Sequence, residues 1–379
     1  MIISILMWIV FSITIAYLIV IGIITFGWFG LPKNPLNKFP EKEIFVSIVI
    51  AVRNESSNIQ KLLKQIVNQN YNSNFLEVII INDHSADNTI HLINKFKAKY
   101  SQLKIKVIDA IGEGKKNALH EGISTSSAEL IITTDGDCNV LPDWVTSVVN
   151  YYLATNCKVI LGPVVYDNEK SILQKFFSLD FASLVASGAG SIGMGLPLMG
   201  NGANLAFTRE VYNATRGNSN GEKYASGDDV FLIHNATKKY GAKSIGFLQN
   251  RKAIVCTPPP NNLAGFFKQR TRWASKTTGY QLIWPIIVAL TVFLFNLILF
   301  VMLVASLWFT WLLPVYILVI ASKFLIDFPL VFNFLSFVDK TKLKPLFFVF
   351  EFIYPAYIVI AATVSLLFSF NWKERKKLR

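Results

Sequence analysis

The chain has 379 residues, 52% of them apolar, with a formal net charge of +13 and a pI near 9.5. A mean hydropathy of +0.42 excludes an ordinary soluble protein, and the long apolar stretches behind it read as membrane spans. Three cysteines without CxxC spacing and four histidines without an HExxH pattern argue against a disulfide framework, a zinc site or a thiol nucleophile paired with a nearby base.

In chain order, Met1 to Pro32 holds no charged residue. It lacks a basic leader and a small-x-small cleavage site, so residues 1–30 are expected to form a retained N-terminal transmembrane anchor. "PKNPLNKFP" reads as a Pro-rich linker. Short β-branched runs then alternate with helical patterns: "FVSIVIAV" and "ESSNIQKLLKQIVNQN", "LEVIIIN" and "SADNTIHLINKFKAKY", "LKIKVIDA" and "KKNALHEGI", "AELIITT" and "LPDWVTSVVNYYLA", then "KVILGPVV". Alternation of this kind predicts βαβ units and a mostly parallel, Rossmann-like sheet. Ile59, Leu62, Leu63 and Ile66 have amphipathic helical spacing, and Pro142 suits a first helical position.

Open parallel sheets gather ligands beyond the carboxyl ends of their strands. Arg53, Asn54 and Glu55 follow the first predicted strand, Asn82 and Asp83 the second, and Asp135 and Asp137 the fourth. Asp-Gly alone is a common turn dipeptide, but two carboxylates at i and i+2 also supply oxygen ligands for a divalent cation carrying phosphate. Asp83 could accept from a base or ribose hydroxyl; its plainer reading is a helix N-cap, for which Ser85 is an equal candidate. "GAGSIG", Gly188 to Gly193, matches the dinucleotide fingerprint but follows a helical pattern, and is expected to be a flexible glycine loop.

In "YASGDDVFLIHNATKKYG", Asp228 and Asp229 head an amphipathic helix, either as favourable charges at its dipole or with one of them as a general base. In "FFKQRTRWASK", Gln269, Arg272 and Trp273 are expected to share one helical face while Arg270 turns away. Such a face could cradle a diphosphate and stack on a sugar ring, or simply lie at the membrane interface. Residues 281–379 are expected to form a membrane domain of three or four spans with a basic tail. Gln281 to Ser322 is uncharged over 42 residues, about two crossings; Phe324 to Val338 is short and holds Asp327 and Pro329; Leu346 to Phe370 carries only Glu351. Five basic residues in "NWKERKKLR" place that tail in the cytoplasm, which favours four C-terminal crossings over three. The basic balance fits anionic lipid and a negatively charged substrate rather than nucleic acid.

Taken together, "VSIVIAVRNE", "IIINDHSADNT", "GKKNALHEG", "TTDGDC", "GNGANLAFTREVY", "SGDDVFL" and "QRTRW" resemble, in this order, the motifs of membrane-bound family-2 glycosyltransferases with a GT-A catalytic domain. The last resembles the Q-x-x-R-W signature of polysaccharide synthases and ceramide glucosyltransferases. The resemblance covers about residues 33–280 and implies a cytoplasmic GT-A domain at 31–280 flanked by transmembrane helices. It implies that Glu55, Asp83, Asp135 and Lys115 or Lys116 bind the donor nucleotide. It further implies that Asp137 with Asp135 holds Mg²⁺ or Mn²⁺, that Asp229 is the base with Asp228 beside it, and that Gln269, Arg272 and Trp273 serve the diphosphate and acceptor. "IAVRNE" departs from P-x-Y-N-E, and Asp228 replaces a Glu.

The activity implied is inverting transfer from a nucleotide sugar, expected to be a UDP-sugar, to a lipid or lipid-linked acceptor. The alternatives are a processive cell-envelope polysaccharide synthase, acting with further copies or an accessory subunit as pore, and a non-catalytic nucleotide-binding scaffold. The expected location is a bacterial inner membrane, with the catalytic domain in the cytoplasm.

Overall fold

The computed structural model describes residues 2–33, 42–216, 227–367, 371–372 and 375–376. Most of the Pro-rich linker and of the basic tail lies outside them. Helix α1 (Ile2–Gly30) is followed by β1 (Val46–Val52), α2 (Ile59–Val67), β2 (Leu76–Asn82), α3 (Thr89–Lys99), β3 (Lys104–Asp109), α4 (Lys115–Thr125), β4 (Leu130–Thr133) and α5 (Trp144–Thr155). Next come β5 (Val159–Leu161), β6 (Val164–Tyr166), α6 (Ile172–Gly193), β7 (Leu205–Thr208), α7 (Arg209–Thr215), α8 (Asp228–Tyr240), β8 (Ile245–Phe247) and β9 (Val255–Thr257). The chain continues through α9 (Leu263–Ala274), α10 (Ile283–Ala305), α11 (Leu312–Phe337) and α12 (Lys344–Leu367).

Contacts divide the chain into two units, one of residues 31–168 and 199–258, the other of 1–30, 169–198 and 259–379. In the first, seven strands form a sheet in the order β3-β2-β1-β4-β7-β5-β8. The mostly parallel α/β architecture expected from the alternation is present: β1 to β4 run parallel, β7 antiparallel to both its neighbours, and β5 parallel to β8. The order reverses between β1 and β4, the switch point at which such sheets open a crevice. Apolar runs make this possible: β1 and β2 are buried almost throughout, as strands covered on both faces must be. Ile59, Leu62, Leu63 and Ile66 all face inward, each worth about 1.5–3 kcal/mol of burial.

Two local expectations are corrected. Pro142 precedes α5 by two residues, and its carbonyl accepts from Asn70 N at 2.8 Å, so it shapes the entry turn instead of opening the helix. "KVILGPVV" is two strands, because Pro163 has no N–H to offer a ladder; β5 stays in the main sheet while β6 pairs with β9.

The second unit gathers the long helices. Among the described residues, five are long and apolar enough to cross a membrane: α1, α6, α10, α11 and α12. Residues 324–338, expected as a separate short segment, are the second half of α11. "GAGSIG" is not a loop but the last turns of α6, and its glycines let α6 approach α1. A Cβ on Gly190 would lie 2.2 Å from the Ile24 carbonyl oxygen, and one on Gly193 2.0 Å from that of Gly27. Small residues at such crossings permit close backbone packing between helices.

A polar knot ties α1, α11 and α12. Lys323 is buried and pairs with Asp327 (2.7 Å) and with Glu351, while the Tyr17 hydroxyl reaches both Asp327 oxygens at 2.9 and 2.8 Å. Removing the cation would strand two buried carboxylates. Lys323→Met is therefore expected to destabilise this unit by about 3–5 kcal/mol. Thermal unfolding in detergent would show it, with partial recovery in Lys323→Met/Asp327→Asn/Glu351→Gln.

Candidate active site

Three strands of the sheet deliver acids to one end. β1 and β4 pair as Val49 with Thr133, and continuing that register brings Gly136 level with Val52. Contact distances agree: a Cβ on Gly136 would lie 3.2 Å from Val52 Cγ1 and 3.0 Å from Glu55 Cγ. A side chain here would press on Glu55 and Val52, so glycine between the two aspartates eases the approach of the third carboxylate. Burial first, then the charges of Asp135 and Glu55, push the Asp137 carboxyl up to about 6. Cys138 beside it is buried, which raises its thiol well above the ordinary range and keeps it protonated.

α4 brings the opposite charge. Lysines in a first helical turn oppose the helix dipole, yet α4 opens with two. Lys115 forms an ion pair with Asp135, and Lys116 Nζ lies 4.0 Å from Asp228 Oδ1. The start of the helix is set by Gly114, at φ 95°, whose N–H donates to Asp83 Oδ1 at 2.9 Å. Asp83 is only 1% exposed. It does not cap α3, and neither does Ser85, whose hydroxyl accepts from Asn54 N at 3.1 Å. Asp87 accepts from Thr89 N at 3.0 Å instead. Asp83 thus links the end of β2 to the loop that carries Lys115.

Asp228 and Asp229 head α8, as expected, after Gly227 in the left-handed region. Asp229 Oδ1 accepts from Val230 N at 2.9 Å and Oδ2 from Gly202 N at 3.2 Å. Glu55 is half-buried and accepts from Asn58 Nδ2 at 3.1 Å. The first unit therefore joins Glu55, Asp135, Asp137 and Lys115 in one cluster, with Asp83 behind Lys115 and Asp228 beside Lys116.

Gln269, Arg272 and Trp273 lie on α9 in the other unit, all half-buried. The expectation that Arg270 turns away from them is corrected. Arg270 is buried, donates through Nε to Asp180 at 2.6 Å, and through Nη1 to Gln269 at 3.1 Å. Its guanidinium lies 4.3 Å from the Trp273 ring and 4.7 Å from that of Phe266. Positions i and i+3 share a face, so an Arg three residues before a Trp stacks on it once a buried acid draws it inward. The sequence could have flagged Asp180, the one acid within α6.

The donor set fits a hard divalent cation: oxygen ligands, two residues apart, under mutual repulsion that such an ion would relieve. Among the described residues no group of three His, Cys, Asp or Glu is arranged to hold a metal alone, so further ligands would come from a bound diphosphate and water.

Comparison with known proteins agrees with the fold and the motifs. A family model described as "Glycosyl transferase family 2" matches residues 47–184, and one described as "Glycosyl transferase family group 2" matches residues 130–370. Glycosyltransferase AglE of Haloferax volcanii is 31% identical over 136 residues, 35% of this chain and 44% of that protein. Poly-β-1,6-N-acetyl-D-glucosamine synthase of Staphylococcus epidermidis is 27% identical over 255 residues, 64% of this chain and 57% of that protein. The chain spans roughly half the length of the curated relatives it matches. Mannosyltransferase PcManGT from Pyrobaculum calidifontis, solved with GDP-Man and Mn²⁺, superposes with a TM-score of 0.56 at 17% identity, covering 97% of this chain and 100% of that one. The shared fold is GT-A.

The cluster makes a pH prediction. If Asp137 ligates a cation, its proton must leave first, and cation affinity then weakens as pH falls through 6. Mn²⁺ titration followed by water-proton relaxation is expected to show about tenfold weaker binding at pH 5 than at 7.5. Asp137→Asn should bind weakly at both; equal affinity of the unaltered protein at the two pH values would contradict the assignment.

Proposed function

Because the chain belongs to the family-2 glycosyltransferases, we propose that it moves a sugar from a nucleotide-sugar donor to a lipid or lipid-linked acceptor at a membrane, with inversion at the anomeric carbon. The observation that carries this reading is the crowding of Asp135, Asp137 and Glu55 at the sheet's switch point, faced by Lys115 from the start of α4, with Lys116 next to it beside Asp228.

In this reading Asp83 and Glu55 take the nucleoside and Lys115, released from Asp135 as the donor enters, takes a phosphate oxygen, with Lys116 beside it. Asp137 and Asp135 would hold Mg²⁺ or Mn²⁺, which when bound offsets the charge growing on the departing diphosphate. Asp229 accepts the proton of the acceptor hydroxyl as that oxygen bonds to the anomeric carbon. The bond from that carbon to the diphosphate breaks, and the nucleoside diphosphate leaves. Asp228, facing Lys116, supplies the acidic companion position of the motif. Gln269, Arg272 and Trp273 serve the diphosphate or the acceptor sugar, a role that rests on the QRTRW motif. The donor is a UDP-sugar by the same resemblance; PcManGT, which binds GDP-Man, makes a GDP-sugar the comparison to include.

Processive synthesis of an envelope polysaccharide, with further copies or an accessory subunit framing the path, is the second reading. Poly-N-acetylglucosamine synthases among the relatives favour it. Location in a bacterial inner membrane with the sheet domain in the cytoplasm fits either reading.

Two experiments test this. Asp229→Asn should leave the donor Kd within about threefold of the parent while kcat falls by about 100- to 10,000-fold. Normal turnover would remove Asp229 from the role. Mass spectrometry of products from purified protein, a sugar-nucleotide panel and membrane lipid should find one added residue; a ladder of lengths would establish the processive reading.

A further inference from the structure

We propose that Thr133 and the Gly202 backbone form the positioning element of Asp229, registering the base to the strand that leads into Asp135 and Asp137. The inference rests on Asp229 acting as the base.

Thr133 is the last residue of β4, two before Asp135, and is 4% exposed. Its hydroxyl donates to the Gly202 carbonyl at 2.8 Å, with a longer approach of 3.3 Å to that of Leu205. Gly202 opens a short 3-10 turn, Gly202–Asn204, entered from an extended Asn201 whose Oδ1 accepts from Ala203 N at 3.0 Å. The turn is pinned at its far end. Asn204 accepts from Trp144 Nε1 at 3.0 Å and donates to the carbonyls of Pro163 and Ala253 at 2.9 and 2.8 Å. The Gly202 carbonyl is held by Thr133 and Asn201 by the Ala203 amide, so the peptide between Asn201 and Gly202 is flanked by fixed groups on both sides, and its N–H is the one directed at Asp229 Oδ2.

With Oδ1 on the Val230 amide, two donors fix the carboxylate's rotation. A side chain in a first helical turn would otherwise sample several rotamers, and small displacements of a reacting group cost large factors in rate. A Cβ at 202 would sit 3.9 Å from both Asp229 Cβ and Oδ2, in ordinary contact, so an alanine fits there.

Gly202→Pro removes the amide hydrogen. Proline suits the first position of a helical turn and follows an extended residue, so the carbonyl stays in place for Thr133, while the ring Cδ takes the hydrogen's place and pushes Asp229 Oδ2 from its seat. The expected result is a kcat lowered about 10- to 100-fold, with donor KM and calorimetric donor Kd unchanged. Gly202→Ala, which keeps the N–H, should restore most of the loss. Thr133→Val should move kcat in the same direction, and Thr133→Ser should recover it. Parental turnover in Gly202→Pro alongside an inactive Asp229→Asn overturns the inference and leaves the base assignment standing. So does equal loss in the Pro and Ala variants, or a loss of turnover matched by loss of donor binding. An active Asp229→Asn overturns the base assignment and this inference with it.

Discussion

Like charge held at close quarters is the constraint on which the sheet domain turns. Asp135, Asp137 and Glu55 meet where β1 and β4 end, with Gly136 between the aspartates packed closely against Glu55 and Val52. Folding alone gains nothing from such crowding, and two lysines at the wrong end of a helix dipole add a second local cost. Local rules broken together at one place in an otherwise consistent fold mark a site built for a ligand. Here the two violations offset each other through the Lys115–Asp135 pair, which a bound cation and diphosphate would replace with stronger partners. Asp83 makes the arrangement rigid by tying the Gly114 amide to the end of β2.

The helical unit obeys a different economy of polar groups. With no water to hydrogen-bond stray charges, Lys323, Asp327, Glu351 and Tyr17 satisfy one another across three helices. Asp180 and Arg270 do the same between α6 and α9, and the guanidinium then becomes the surface on which Trp273 rests. The motif tryptophan is thereby oriented by a residue of the same motif that pattern reading had set aside.

Much of this was legible before any coordinates. The β-branched runs found β1 to β4, the 3.6-residue spacing found the buried face of α2, and the carboxyl-end rule located Glu55, Asp83, Asp135 and Asp137. What escaped depended on partners distant in the chain. "GAGSIG" looks like a loop because three glycines depress helix propensity, and only α1 lying against them explains a helix there. Gly162-Pro163 hides inside an apolar run that alternation alone treats as one strand. The plainer reading of Asp83 as a cap rests on a local signal, whereas the structure sets its Oδ1 on the Gly114 amide, 31 residues away. Gly202 carries no side chain to attract notice, and Thr133 reads as one more strand residue. Their connection to Asp229 exists only once β4, the turn at 202 and α8 are brought together.

The central claim is that Asp135 and Asp137 seat a cation against a sugar-nucleotide diphosphate. Phosphorus-31 relaxation of a UDP-sugar, titrated with Mn²⁺ in the presence of the purified protein, tests it directly. The account predicts strong paramagnetic broadening of both phosphorus signals with the parent protein, and its loss in Asp135→Ala/Asp137→Ala while magnesium-free nucleotide binding through Asp83 and Lys115 persists. Undiminished broadening in the double variant would contradict it.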